Sequence, residues 1–218
     1  MTSLRSKKFA RTRLAIASAM VNTLQTRALP DISVKALCSE AEVSEATFFN
    51  YFPHKRDVMT YLAHLWLLEL GWHERSIAGQ HSGLEVIDRL FVHSAKICAR
   101  KPGFFMELLA WIARGGSLAD DIELSDFEKQ IAFPELDGIE SVNVKGIDKL
   151  LLPHLEAAIQ QRELPENTLL PVVLAVLLST LFGVPMTQLQ PDPSRVAAAY
   201  RQQLFLLWTG VRSSAQRN

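Results

Sequence analysis

Apolar residues recur at helical spacing along most of this chain, and no stretch alternates apolar and polar as a half-buried strand would. Leu14, Ala17, Val21 and Leu24 share one helix face. Val58, Leu62, Leu65 and Glu69 mark the turns of a longer helix over residues 55–78. Residues 84–100 form another, stopped before Pro102, and Phe104 to Arg114 continues until Gly115-Gly116. Residues 146–162, 167–184 and 193–212 follow, punctuated by Pro165, Pro185, Pro191 and Pro193. Residues 117–144 carry Asp120, Asp121, Glu123, Asp126 and Glu128 and read as a loop with room for one short helix. Two short helices fit in 33–52. The pattern predicts an all-α chain of about nine helices.

Charge divides the chain in two. It carries 23 Lys and Arg against 23 Asp and Glu, which argues against a nucleic-acid partner when taken whole. Residues 1–60 hold nine basic and five acidic side chains, a net +4, so the remainder is −4. The first thirteen residues include Arg5, Lys7, Lys8, Arg11 and Arg13 and no acid. A basic segment on an acidic body suggests an anionic partner at one end only. The basic start is an arm suited either to a DNA backbone or minor groove, or to free solvation.

Other classes find less support. Residues 167–191 lack a charged side chain and are long enough to span a membrane. Pro171 and Pro185 interrupt them, and no Lys/Arg cluster or Trp/Tyr belt flanks them. A buried bundle helix or subunit interface is the better reading. Cys38 and Cys98 make no disulfide framework, and no secretory signal is visible, so a cytoplasmic protein with reduced thiols is expected. The histidines at 54, 64, 73, 81, 93 and 154 are scattered, without metal-ligand spacing. No phosphate loop, nucleophile elbow or supported carboxylate pair appears, so neither enzyme activity nor a cofactor is expected.

One stretch is specific. Ser33 is placed to cap a helix whose inner face is Val34, Leu37 and Ala41. Ser44 caps a second, with Phe48 and Phe52 inward at i and i+4 and Val43 plugging the turn. Two short helices joined by a turn of about three or four residues make a helix-turn-helix. The second helix would present Ser44, Glu45, Ala46, Thr47 and Asn50 outward, small or polar as a surface entering a major groove must be.

From Arg13 to about Met59 the chain resembles the TetR family of transcriptional repressors. The resemblance runs through Arg13, Ser33-Val34, Ala41, Val43-Ser44, Thr47-Phe48, Tyr51-Phe52 and Lys55. The remaining chain matches only in its layout of helices. The resemblance implies DNA binding by residues 1–60, and effector binding and dimerisation by 61–218, with the last two helices pairing. Two positions depart from the pattern: Glu42 stands where the family usually has Gly, and Phe49 where it usually has Tyr. A non-Gly residue at 42 is strained if the turn needs positive φ. Phe49 cannot donate to a phosphate.

Ser33, Lys35, Tyr51 and Lys55 are candidate phosphate contacts, which set register. Thr47 and Asn50 are candidate base-edge contacts: Asn pairs with adenine, and a Thr methyl meets a thymine methyl. Asn50 suits a phosphate equally. Glu45 either meets a cytosine amino group or simply favours the helix start. Ser44 caps and can contact DNA as well. Trp66, His93, Phe104, Phe105 and Trp111 are candidate effector-pocket residues, with core packing the competing reading. Val196, Tyr200, Leu204, Leu207 and Val211 stripe the last helix, and with 167–184 suggest a four-helix interface between two subunits. A two-fold dimer sets its two heads about 34 Å apart, on a near-palindromic operator. An effector would release DNA by favouring another spacing. Two alternatives stay open: a small-molecule binding protein without specific DNA binding, motivated by Glu42, Glu45 and Phe49, and a membrane-associated helical protein, motivated by 167–191.

Overall fold

The computed structural model describes residues 4–116 and 123–214. Among them are ten α-helices, three short 3-10 turns and no strand. The helices are α1 Leu4–Thr23, α2 Val34–Glu40, α3 Glu45–Tyr51, α4 Asp57–Ile77, α5 Gly83–Arg100, α6 Pro102–Ala113, α7 Asp126–Ala132, α8 Ile147–Gln160, α9 Leu170–Gln188 and α10 Val196–Ser214. The 3-10 turns are Leu29–Asp31, Ile139–Ser141 and Pro193–Arg195. The all-α expectation and most of its boundaries hold.

The chain forms two compact units. The first is Met1–Glu69 with Gly103–Val144; the second is Leu70–Pro102 with Lys145–Asn218. Compactness thus divides the chain elsewhere than at residue 60, because 103–144 packs with the N-terminal helices. The expected 1–60 and 61–218 division is one of function and returns below as a proposal.

In the first unit α1 packs on α2, α3 and α7. Its buried face is Ala10, Arg13, Ile16, Ala17, Met20 and Leu24, with Leu14 and Val21 only half-buried. Small residues allow close approach here. A Cβ on Gly103 would lie 2.0 Å from the Leu24 carbonyl oxygen, so α6 starts directly against the end of α1. The basic start is not a separate arm. Arg5, Lys7, Lys8 and Arg11 lie within α1, and Lys7 and Arg11, one turn apart, sit 5.5 and 5.9 Å from the Phe127 ring centroid on α7.

Part of the region expected as a loop becomes ordered through α7. Ser125 caps it, accepting from the Glu128 N–H. Asp120 and Asp121 lie outside the described residues. Glu128 and Lys129 are buried charges, each with a partner. Lys129 donates to the Glu140 and Val142 carbonyls at 3.0 and 2.8 Å, tying down the 139–141 turn.

In the second unit α5 packs on α8 and α10, and α9 on α8 and α10. Glu163 closes the start of α5, accepting from the Ser82 hydroxyl and the Leu84 N–H. The expected stop of α9 at Pro185 is corrected: the helix runs on to Gln188. Proline in a helix removes the bond to the carbonyl four residues back, here Leu181. That carbonyl accepts instead from the buried Tyr200 hydroxyl of α10, at 2.7 Å. Burial pushes the phenol well above its ordinary pKa, so it stays a donor. Burial likewise pushes Cys98 up to about 12, leaving a neutral, inert thiol.

The α10 stripe faces mostly into its own unit of the fold. Val196, Tyr200, Leu204 and Trp208 are buried, Leu207 and Val211 half-buried, and Phe91 of α5 meets the Tyr200 ring edge-on at 5.1 Å. The exposed apolar side chains are others: Leu169, Val172, Val176 and Met186 around α9, and Phe205 and Leu206 on α10. Helix α9 is long and apolar enough to cross a membrane by length and composition. Its Val173, Leu177, Thr180, Leu181 and Val184 nonetheless pack inside the protein.

Candidate nucleic-acid interface

The candidate reading head is α2 and α3, two seven-residue helices too short to persist alone. Capping and core contacts hold them. The Ser33 hydroxyl accepts from the Ala36 N–H at 3.1 Å, and Ser44 does the same for Thr47 at 3.1 Å. Beneath them Leu37, Cys38, Phe48 and Phe52 are buried, while Val34, Ala41 and Val43 are half-buried. Glu40 fastens α2 to α1, accepting from Asn22 and Thr23 at 3.0 Å each.

The turn between them passes through Glu42 at φ 54°. The left-handed backbone normally supplied by glycine is therefore present here with a side chain. The left-handed region costs an L-residue about 1–2 kcal/mol, while glycine at an ordinary site costs roughly 0.5–1 kcal/mol of chain entropy. Glu42→Gly is therefore expected to raise stability by up to about 1 kcal/mol, read as a higher urea midpoint at unchanged slope.

The outward face of α3 carries Glu45, Ala46, Phe49 and Asn50, all exposed. Thr47 is half-buried, and its hydroxyl shares a 2.9 Å hydrogen bond with Ser44. Tyr51 is half-buried with its ring 4.8 Å from Phe9 of α1, and Ser33 and Lys35 are exposed. Lys55 is placed differently from the others. Its ammonium donates to the Leu29 and Ile32 carbonyls at 2.6 Å each and lies 3.4 Å from that of Pro30. It caps the 29–31 turn just as Lys129 caps the 139–141 turn.

Behind this face sits a buried ionic group that the spacing did not reveal. Arg13 of α1 reaches the two oxygens of Glu128 at 3.4 and 3.5 Å. Tyr61 of α4 donates to Glu128 at 2.8 Å, and its ring lies 4.3 Å from the guanidinium carbon. Burial, then the neighbouring Glu128 charge, push the Tyr61 phenol far up. The signal that could have found α7 is Ser125-x-x-Glu128, the capping pattern.

The candidate pocket residues separate. Trp66, Phe104, Phe105 and Trp111 belong to the first unit and are buried; His93 belongs to the second, its ring stacked on His73 at 4.1 Å. Trp66 and Phe105 meet edge-on at 5.5 Å. One Glu107 carboxylate oxygen on α6 is buried without a hydrogen-bond partner. Among the described residues, no group of three or more His, Cys, Asp or Glu could hold a metal ion.

A helical protein with an N-terminal helix-turn-helix is the class that these elements define. No family model and no curated protein matches the sequence. Solved structures do match. The Thermus thermophilus FadR, a TetR-family transcriptional repressor in complex with lauroyl-CoA, is 22% identical over 89% of this chain and 92% of its own, with a TM-score of 0.61. The Bacillus subtilis transcriptional regulator FadR, in complex with stearoyl-CoA, is 16% identical over 91% and 98%, with a TM-score of 0.68. Salmonella enterica GusR is 16% identical over 93% and 95%, with a TM-score of 0.66. The chain has the fold of these three proteins, the first of them a TetR-family repressor.

Proposed function

We propose that this protein is a ligand-responsive, DNA-binding transcriptional regulator, not an enzyme, acting in the cytoplasm as a homodimer. The observation that carries the reading is α3: an N-capped helix anchored by Phe48 and Phe52, with Glu45, Ala46, Phe49 and Asn50 exposed on its outer side. Such a helix suits a major groove. Asn50 and the Thr47 methyl read base edges; Ser33, Lys35, Ser44 and Tyr51 contact the backbone. Glu45 at the helix start favours a cytosine amino group. Lys55 supports the head by fixing the 29–32 segment, and its charge adds to the backbone attraction.

Residues 61–218 take the effector and dimerise. The neighbours in complex with acyl-CoA molecules support a small organic effector, and the partnerless Glu107 oxygen beside Phe104, Phe105 and Trp111 supports a polar group on it. The exposed apolar residues of α9 and α10 support pairing through 167–184 and 193–212, by Val172, Val176, Phe205 and Leu206 rather than by the inward stripe. Bound effector releases DNA by its higher affinity for a state with another head spacing.

The test is fluorescence anisotropy on a bound duplex. Affinity is expected to fall steeply with salt. Asn50→Ala is expected to cost about 1–3 kcal/mol of specific binding while leaving non-specific binding nearly unchanged. Equal loss on both duplexes would make Asn50 a phosphate contact. A second reading, ligand binding without specific DNA recognition, is favoured by the exposed carboxylates of Glu42 and Glu45 beside the reading face. Effector binding with no preferred duplex at any salt would support it.

A further inference from the structure

An open cleft of about 700 Å³ lies in the first unit, bordered by Phe49 of α3 and apart from the buried aromatic group of Trp66, Phe104 and Phe105. Its walls are the 29–31 turn, the segment between α3 and α4, the first turn of α4 and the end of α6. We propose that this cleft binds a small organic anion with a flat apolar part, such as an aryl phosphate or aryl carboxylate.

The charge argument comes first. Arg56, just before α4, and Arg114, at the end of α6, both line the cleft and are exposed. Neither guanidinium has a hydrogen-bond or ion-pair partner among the described residues, so two planar forks from separate elements converge on one space. Arginine suits phosphate and carboxylate because its donors match them in pairs. Lys55 adds a third cation, although its donors are held by carbonyls. Among the described residues the one acid in the lining, Asp57, already accepts from the His54 N–H at 2.7 Å. The start of α4, a 21-residue helix, adds the positive end of its dipole.

The opposite wall would ordinarily repel an anion, since α6 ends there. Three of its last four carbonyls, those of Ala110, Trp111 and Ile112, are covered. Gly115, at φ 87°, turns the chain so that its N–H reaches the Ile112 carbonyl at 3.0 Å and the Gly116 N–H reaches that of Trp111 at 3.0 Å. This is the Schellman cap, and it removes two acceptors from the cleft wall. A Cβ on Gly116 would sit 2.3 Å from the Trp111 indole, so glycine is what lets the ring lie against the cap.

Much of the remaining lining is apolar: Leu29, Pro30, Pro53, half-exposed Phe49 and the Trp111 indole stand beside the polar His54 and Thr60. The volume falls within the range of small-molecule sites. Two converging cations with such walls select a ligand having both an anionic head and a ring, over inorganic phosphate alone. A DNA phosphate offers the same head, so the test must separate the two sources.

The experiment titrates 1-naphthyl phosphate into the full chain by calorimetry, with 1-naphthol and inorganic phosphate as half-ligands. Saturable binding at one molecule per chain is expected, at least about tenfold tighter than either half-ligand. Arg56→Gln and Arg114→Gln should each weaken it about tenfold or more, as loss of a charge-assisted contact does. Arg89→Gln, on the exposed side of α5, should change nothing. Urea midpoints check that the exposed substitutions leave the fold intact. Binding no tighter than inorganic phosphate, or unchanged in both variants, would overturn the proposal. So would loss of duplex binding in both variants without saturable naphthyl phosphate binding, which would place a DNA phosphate in the cleft. The calorimetry needs no DNA, so its failure leaves the regulator reading standing.

Discussion

Glu128→Gln is expected to destabilise the protein by about 3 kcal/mol or more, because it leaves a buried cation without its counter-charge. Arg13 is 8% exposed and Glu128 2%, although both border an open cavity of about 360 Å³. The substitution keeps the volume and removes only the charge. The Arg13 Nε has no hydrogen-bond partner of its own, so nothing else on that side compensates. The aromatic rings of Phe9, Phe52 and Tyr61 soften the loss, at 5.5, 5.8 and 4.3 Å from the guanidinium carbon. Tyr61→Phe should cost less, about 1–2 kcal/mol, since Glu128 would keep Arg13. Urea unfolding reads both. A near-neutral Glu128→Gln would mean that Arg13 finds water in the folded state, and the ionic group would then not be what joins α7 to α1.

The second large effect separates two adjacent phenylalanines. Phe48→Ala is expected to cost about 3–5 kcal/mol, the range for a fully buried aromatic. Phe48 is fully buried and touches Phe49 and Phe52 with ring centroids at 5.4 and 6.1 Å. Phe49 is 49% exposed, and Phe49→Ala should cost no more than about 1 kcal/mol, mostly the edge-on contact with Phe48. If α3 reads DNA, Phe49→Ala should change DNA affinity more than stability. Equal stability losses would mean that α3 is rotated from the placement described.

How far the sequence could be read follows from what each signal measures. Periodicity reports a helix with one buried face, so α2 to α6 were legible to within a few residues. Phe48 and Phe52 were legible as core for the same reason, and Glu42 as a strained turn because glycine's role there is steric. A short helix in 117–144 was legible, but not its place or its buried charges, although the Ser125-x-x-Glu128 capping pattern marks its start. It has only seven residues, and its buried side chains include a carboxylate and an ammonium, which composition reads as solvated. Pro185 reads as a stop because the repair, the Tyr200 hydroxyl, comes from another helix. Lys55 illustrates the same limit at the site: an ammonium's partners, three carbonyls between 29 and 32, are set by the fold and not by spacing. The inward face of α10 was misassigned because a stripe at i+4 shows that a face is buried but not against what.

The account's central claim is that α3 reads a duplex as half of a two-fold pair. Selection of bound sequences from a random duplex pool by the full chain tests it most directly. The account predicts an inverted repeat with half-sites about one helical turn apart, and blurring within each half-site for Asn50→Ala. Recovery of no shared sequence, or of a single unpaired half-site by a protein that sediments as a dimer, would contradict it.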